Sequence, residues 1–118
     1  MPQTRQQILD GATASPEQIE IPEWGGAFQL LPLSGEQYEE ITLLAEQARA
    51  TGNYLCLKGI RGRVATWVVA DEEGNCVFQP ADAPALTTKY SAVLSRVFER
   101  VKTMNAMTEE EIGDIEKN

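Results

Sequence analysis

Gln18-Ile19-Glu20-Ile21-Pro22-Glu23-Trp24-Gly25-Gly26-Ala27-Phe28-Gln29-Leu30-Leu31 is the stretch on which the reading of the fold turns. Ile19 and Ile21 alternate with Glu20 in the two-residue period of a half-buried strand, and Pro22 disfavours a helical residue before it. Gly25-Gly26 supplies the backbone freedom for a reversal, after which Ala27 to Leu31 reads as a second strand. A hairpin is therefore predicted, with strands at 18–21 and 27–31.

Downstream, Leu33-Ser34-Gly35-Glu36-Gln37 has the spacing of a capping box: Ser34 caps the exposed amides and Gln37, three residues on, reaches back. Glu36, Glu39 and Glu40 suit the positive end of the helix dipole. Tyr38, Ile41, Leu44, Ala45 and Ala48 recur at three- and four-residue intervals, and Gly52 closes the helix. Upstream, Thr4 and Gln7 have the same capping spacing, which predicts a short or partly ordered helix to Asp10 that stops at Gly11.

From Asn53 the pattern changes. Val64 to Ala70 is rich in branched and aromatic residues and reads as a strand, Asp71-Glu72-Glu73-Gly74-Asn75 as a polar turn, and Cys76 to Phe78 as the returning strand. Gly59 and Gly62 around Ile60 and Arg61 predict a tight loop. Tyr54 to Leu57 fits either a strand or an extension of the preceding helix. Beyond Pro80 and Pro84, Leu86, Tyr90, Val93, Leu94, Val97, Phe98, Val101 and Met104 form one apolar stripe of a second amphipathic helix. Thr108-Glu109-Glu110-Glu111 opens a short acidic helix or tail anchored only by Ile112 and Ile115. The expected architecture is α+β: a small antiparallel sheet made of two hairpins, packed against two main amphipathic helices. Residues 18–105 form the single domain, with 1–17 and 106–118 as terminal segments.

The 118 residues, 42% apolar and 24% charged, suit one domain with one modest core. Ten basic against eighteen acidic side chains give a net charge of -8, which disfavours nonspecific attraction to nucleic acid or anionic membrane. No apolar run has the length of a membrane span, and the first residues lack a signal-peptide pattern, so the cytoplasm is expected. Cys56 and Cys76 lie in apolar stretches and read as free, packed thiols; a disulfide between them requires their segments to pair and an oxidising compartment.

Histidine is absent, which removes the commonest general base and the commonest nitrogen metal ligand. Two isolated cysteines are too few for zinc, and Gly59-Ile60-Arg61-Gly62 has neither phosphate-loop nor dinucleotide spacing. No catalytic, cofactor or metal residue is therefore nominated. Charge order is more informative. Asp10 to Glu46 holds eight acidic side chains and no basic one, whereas Arg49, Lys58, Arg61 and Arg63 follow without an acid between them. The plain reading of Lys58-Gly59-Ile60-Arg61-Gly62-Arg63 is a solvated loop. The sharper one is a basic edge that meets the acidic half of another copy or of a partner, in a salt-sensitive association.

Several of these segments, taken in order, resemble the tail assembly chaperones of long-tailed phages. The resemblance is carried by Glu20-Ile21-Pro22-Glu23-Trp24-Gly25-Gly26, by Leu33-Ser34-Gly35-Glu36, by Val68 to Phe78 around Asp71-Glu72-Glu73-Gly74-Asn75, and by Asn105-Ala106-Met107-Thr108-Glu109-Glu110 with Glu116-Lys117-Asn118. It implies a non-catalytic protein that coats the long, helical tape measure protein in the host cytoplasm and is absent from the mature virion. It further implies a frameshifted longer form that recruits the tail tube protein; Lys117-Asn118 can be encoded by a slippery AAA-AAC. Such a role calls for weak, repeated contacts, including weak homo-oligomerisation, rather than one deep pocket. The candidate partner-binding residues are Trp24, Phe28 and Leu30 or Leu31 on the hairpin, part of the Leu86 to Met104 stripe, and Lys58, Arg61 and Arg63. Core packing is the stronger reading for Phe28, Val93, Val97, Phe98 and Trp67, while Trp24 fits a core edge and an interface anchor equally. The rival reading is a small acidic regulatory or anti-defence protein that mimics nucleic acid, for which the acids would have to form two uninterrupted rows.

Overall fold

The computed structural model describes residues 2–10 and 15–107. In chain order its elements are α1 (Arg5–Asp10), β1 (Glu17–Ile21), β2 (Gly26–Leu30), α2 (Gly35–Thr51), α3 (Ile60–Val68), β3 (Val69–Ala70), α4 (Ala83–Lys89) and α5 (Ser91–Met104). Short 3-10 turns lie at Pro22–Trp24, Tyr54–Leu57 and Pro80–Asp82. The architecture is α+β, and the predicted Gly11 stop and the acidic segment after Thr108 fall outside the described residues.

The first hairpin forms as its alternation requires. β1 and β2 pair antiparallel, with Ile19 opposite Phe28 and Ile21 opposite Gly26, and Ile19 and Ile21 are buried while Glu20 faces solvent. Pro22 opens a 3-10 turn, and Gly25, at φ +93, closes it by donating its N–H to the Pro22 carbonyl at 3.1 Å. β3 adds to the other edge of β2, Leu30 opposite Val69, so the sheet order is β1-β2-β3.

α2 has its full capping box: the Gln37 N–H donates to Ser34 Oγ at 3.1 Å and the Ser34 N–H to Gln37 Oε1 at 3.0 Å. Gly52, in the left-handed region at φ +71, ends it. Ile41, Ala45 and Ala48 are buried, with Tyr38 and Leu44 packed beside them. Thr4 and Gln7 bond reciprocally at the start of α1 in the same way.

Three expectations are corrected. Ile60–Val68 is a helix, not a loop followed by a strand, and only Val69 and Ala70 are extended. Ile60, Gly62, Val64, Ala65, Thr66 and Val68 are all buried, because α4, α5 and the Pro80–Asp82 turn pack against α3; a helix covered on several sides carries no amphipathic period and reads as an apolar strand. The second hairpin is thereby reduced to a turn. Ala70 and Cys76 make an isolated bridge, and Asp71 Oδ1 accepts the N–H groups of Glu73 and Asn75 at 2.9 and 3.0 Å. The second amphipathic helix is broken at Tyr90 (φ -129°, ψ 44°) into α4 and α5, although its stripe runs on through Leu86, Val93, Leu94, Val97, Phe98 and Val101, all buried. Tyr54–Leu57, left open between strand and helix, is a 3-10 turn in which the Leu55 N–H donates to Asn53 Oδ1 at 3.1 Å.

α5 ends in a Schellman arrangement: the Met107 N–H reaches the Lys102 carbonyl at 3.1 Å and the Ala106 N–H the Thr103 carbonyl at 3.3 Å. Asn105 Oδ1 meanwhile accepts the Leu33 N–H at 3.2 Å, and Met107 is buried. Ala106 itself holds φ +51, where a Cβ is strained. Ala106→Gly is expected to raise stability by about 0.5–1 kcal/mol, seen as a higher urea midpoint at unchanged slope. A lower midpoint would contradict the strain.

Candidate partner-binding surfaces

The nominated residues fall on two separate surfaces. On the first, the turn after β1 brings Trp24 among three other aromatic rings, each met edge to face: Phe78 at 5.2 Å, Tyr90 at 5.4 Å and Phe28 at 6.0 Å between centroids. All four are half-buried, so the cluster both ties the hairpin to the Tyr90 break and shows apolar surface to solvent. Leu30 is different. It is 0% exposed, flanked by β1 and β3, and belongs to the core rather than to any contact surface; Leu31 is half-buried.

The cluster is framed by ion pairs that join the hairpin to α5. Arg96 donates to Glu23 Oε2, and Arg100 to Glu17 Oε1 at 2.7 Å. Exposed pairs of this kind add little stability and chiefly hold geometry. The Arg96 guanidinium, by that hydrogen bond, holds the Glu23 carboxyl below its ordinary pKa of 4.5, and Glu23's own backbone N–H lowers it further. A carboxylate with a depressed folded-state pKa stabilises the fold above the unfolded-state value, and that contribution is lost as pH falls through the folded-state value. In a carboxyl-carbon NMR titration Glu23 is expected to titrate below its ordinary value, and Arg96→Met to move it upward. An unchanged midpoint in the variant would remove Arg96 as the cause.

On the second surface, Lys58, Arg61 and Arg63 surround the start of α3. Lys58 is exposed, Arg61 lies over the Phe98 ring at 5.8 Å, and Arg63 binds Glu40 of α2 at 3.0 Å. The acid-to-base complementarity expected between copies is thus used partly within one chain. Two grooves open here, one of about 390 Å³ beside Leu57, Ile60 and Leu94, the other of about 700 Å³ beside Trp67, Pro80 and Pro84; they share Lys58, Gly59 and Thr87.

Some exposed apolar residues were not foreseen. Leu55 (73% exposed) sits at the mouth of the first groove, and Leu43 (61%) stands on the outer face of α2. Leu43 could have been found, since it falls off the Ile41-Leu44-Ala45-Ala48 stripe. Leu55 was hidden inside an apolar run whose conformation the pattern left open. Among the described residues, no three His, Cys, Asp or Glu side chains gather where a metal ion could be held, and no helix is long and apolar enough to cross a membrane.

No family model matches the chain, and no curated protein does. Among solved structures, the tail assembly chaperone of bacteriophage HK97 is similar, at 22% identity and a TM-score of 0.53, over 81% of this chain and 92% of that one. The likeness is one of fold.

Proposed function

We propose that this protein is a tail assembly chaperone of a phage or prophage, which binds and solubilises the tape measure protein during tail assembly without catalysis. The observation that carries the reading is the fold likeness to the HK97 chaperone across nearly all of that chain. The ordered motifs from Glu20 to Asn118 support it independently, because they resemble the same family without reference to the fold. A surface with several shallow apolar and charged features suits repeated weak contacts along a long helical partner.

In this reading the Trp24–Phe28 cluster and the Lys58–Arg63 segment face the tape measure protein or a neighbouring copy. Weak homo-oligomerisation spreads the coat, a frameshifted longer form engages the tail tube protein, and the chain acts in the host cytoplasm and leaves before the virion is complete. The rival nucleic-acid mimic is disfavoured by one observation: Glu17, Glu23 and Glu40 are each paired with an arginine of the same chain, which breaks any continuous acidic row. The proposal expects this chain's gene to lie just upstream of one that encodes a very long helical protein, and coexpression of the two tests it. That protein is expected to move from the insoluble to the soluble fraction, and its remaining insoluble would overturn the reading.

A further inference from the structure

The two grooves beside the start of α3 meet. Lys58, Gly59 and Thr87 line both, so the groove of about 390 Å³ and the groove of about 700 Å³ are the two arms of one open trough. Each arm has an apolar end. Leu57, Ile60 and Leu94 floor the smaller arm and are buried, with Leu55, 73% exposed, at its mouth. Trp67, Pro80, Ala83 and Pro84 line the larger arm, and Trp67 is half-buried. The saddle between the arms carries no bulky side chain, because Gly59 stands there opposite Thr87; a Cβ on Gly59 would lie 3.9 Å from Thr87 Oγ1.

Charge selects the occupant. Lys58 is exposed and lines both arms, and Arg61, over the Phe98 ring, lines the smaller one. Among the described residues no carboxylate lines the smaller arm, and the one that lines the larger, Glu40, is bonded to Arg63 at 3.0 Å. The trough is thus a positive strip on a chain whose net charge is -8. A nucleic-acid strand would bring a charge with every nucleotide into the field of that chain and would lay sugars and phosphates over the apolar ends. A protein segment with a few acids beside apolar side chains avoids both costs. A trough open along its length suits one face of a helix.

We infer that the trough docks an acidic amphipathic helix of the partner protein, with its apolar side chains over Leu57, Ile60 and Leu94 in one arm and against Trp67 in the other, and its acids facing Lys58 and Arg61. The inference rests on the proposed function for the identity of the partner, the long helical tape measure protein. It adds which segments of that protein are bound: those in which acidic side chains flank an apolar stripe.

The probe is a fluorescein-labelled synthetic helix of about 18 residues, five turns, with leucines along one stripe and glutamates beside it. Fluorescence anisotropy with the full chain is expected to show saturable binding that weakens roughly tenfold in Lys58→Glu, and also as salt is raised. Arg5→Glu, the same kind of charge reversal at an exposed residue of α1 that lines neither arm, should leave binding unchanged. Amide shifts on binding should gather in residues 54–67 and 80–95 and spare 17–30. An unbound probe would overturn the inference. So would equal binding of a probe with lysines for the glutamates or alanines for the leucines, or equal displacement by a single-stranded oligonucleotide of matched charge. Oligomers of the chain alone that Lys58→Glu dissociates, beside an unbound probe, would give the trough to a second copy instead. Coexpression separates the inference from the function it rests on. If the unaltered chain solubilises the long helical protein and Lys58→Glu does so equally well, the inference falls and the proposed function stands. If the unaltered chain fails to solubilise it while the probe binds as expected, the function falls and the trough remains a site for acidic helices.

Discussion

Gly62→Ala is expected to destabilise the protein by about 2–3 kcal/mol, the range of core overpacking, although alanine is intrinsically the better helix former. Gly62 lies inside α3 where the helix crosses the start of α4. A Cβ built there would stand 2.7 Å from the Ala83 carbonyl oxygen and would also collide with Thr87 Oγ1. Thr87 is itself held, its hydroxyl donating to the Ala83 carbonyl at 2.9 Å, so neither atom is the free end of a flexible chain. α3 and α4 must therefore separate, which opens the packing around Ile60, Val64 and Leu86. Removing the hydroxyl as well, in Gly62→Ala with Thr87→Ala, should recover only part of the loss because the backbone oxygen stays. Gly35→Ala is the contrasting change. It sits in the first turn of α2 with nothing within 4 Å of the new Cβ, and it should leave stability unchanged or raise it slightly. Urea unfolding of the variants checks the set, and equal behaviour of the two glycines would refute the close approach.

Trp24→Ala is expected to cost about 3 kcal/mol, through lost apolar burial and three lost edge-to-face ring contacts. Its effect should spread, because Trp24 joins the hairpin to Phe78 and to Tyr90 at the α4–α5 break. Trp24→Phe keeps a ring in the cluster and should cost less than half as much. Near-ultraviolet circular dichroism would report the loss of the aromatic cluster in the alanine variant, and hydrogen exchange should show β1 and the start of α5 opening together. If only the hairpin loosens, Trp24 does not couple it to α5.

These two residues also mark where the sequence could and could not be read. The hairpin was legible because Ile19 and Ile21 alternate with Glu20 and because Gly25 must take a left-handed conformation. α2 was legible from its caps, which are local chemistry. α3 was not, since the same branched residues that suggest a strand fill a helix covered by three neighbours, and Gly62 is there for a close crossing and not for a loop. The break at Tyr90 was also invisible: the apolar stripe passes through it unchanged, and Tyr90 meets the ring of Trp24, distant in sequence. Candidate surface residues divide in the same way. Lys58, Arg61 and Arg63 show as charge in the sequence, but the grooves beside them arise only when residues 54–67 and 80–95 converge, with Glu40 of α2 beside the larger one. Leu30 alternates like its neighbours and gave no sign that β3 would cover its far side.

The proposed function requires this chain to bind in many copies along one long partner. Coexpression with the long helical protein that this role requires, followed by size-exclusion chromatography with light scattering, tests this most directly. A soluble species whose mass requires several copies of this chain per partner molecule is predicted, shrinking as salt is raised. This chain eluting alone, with the long protein left in the pellet, would contradict it.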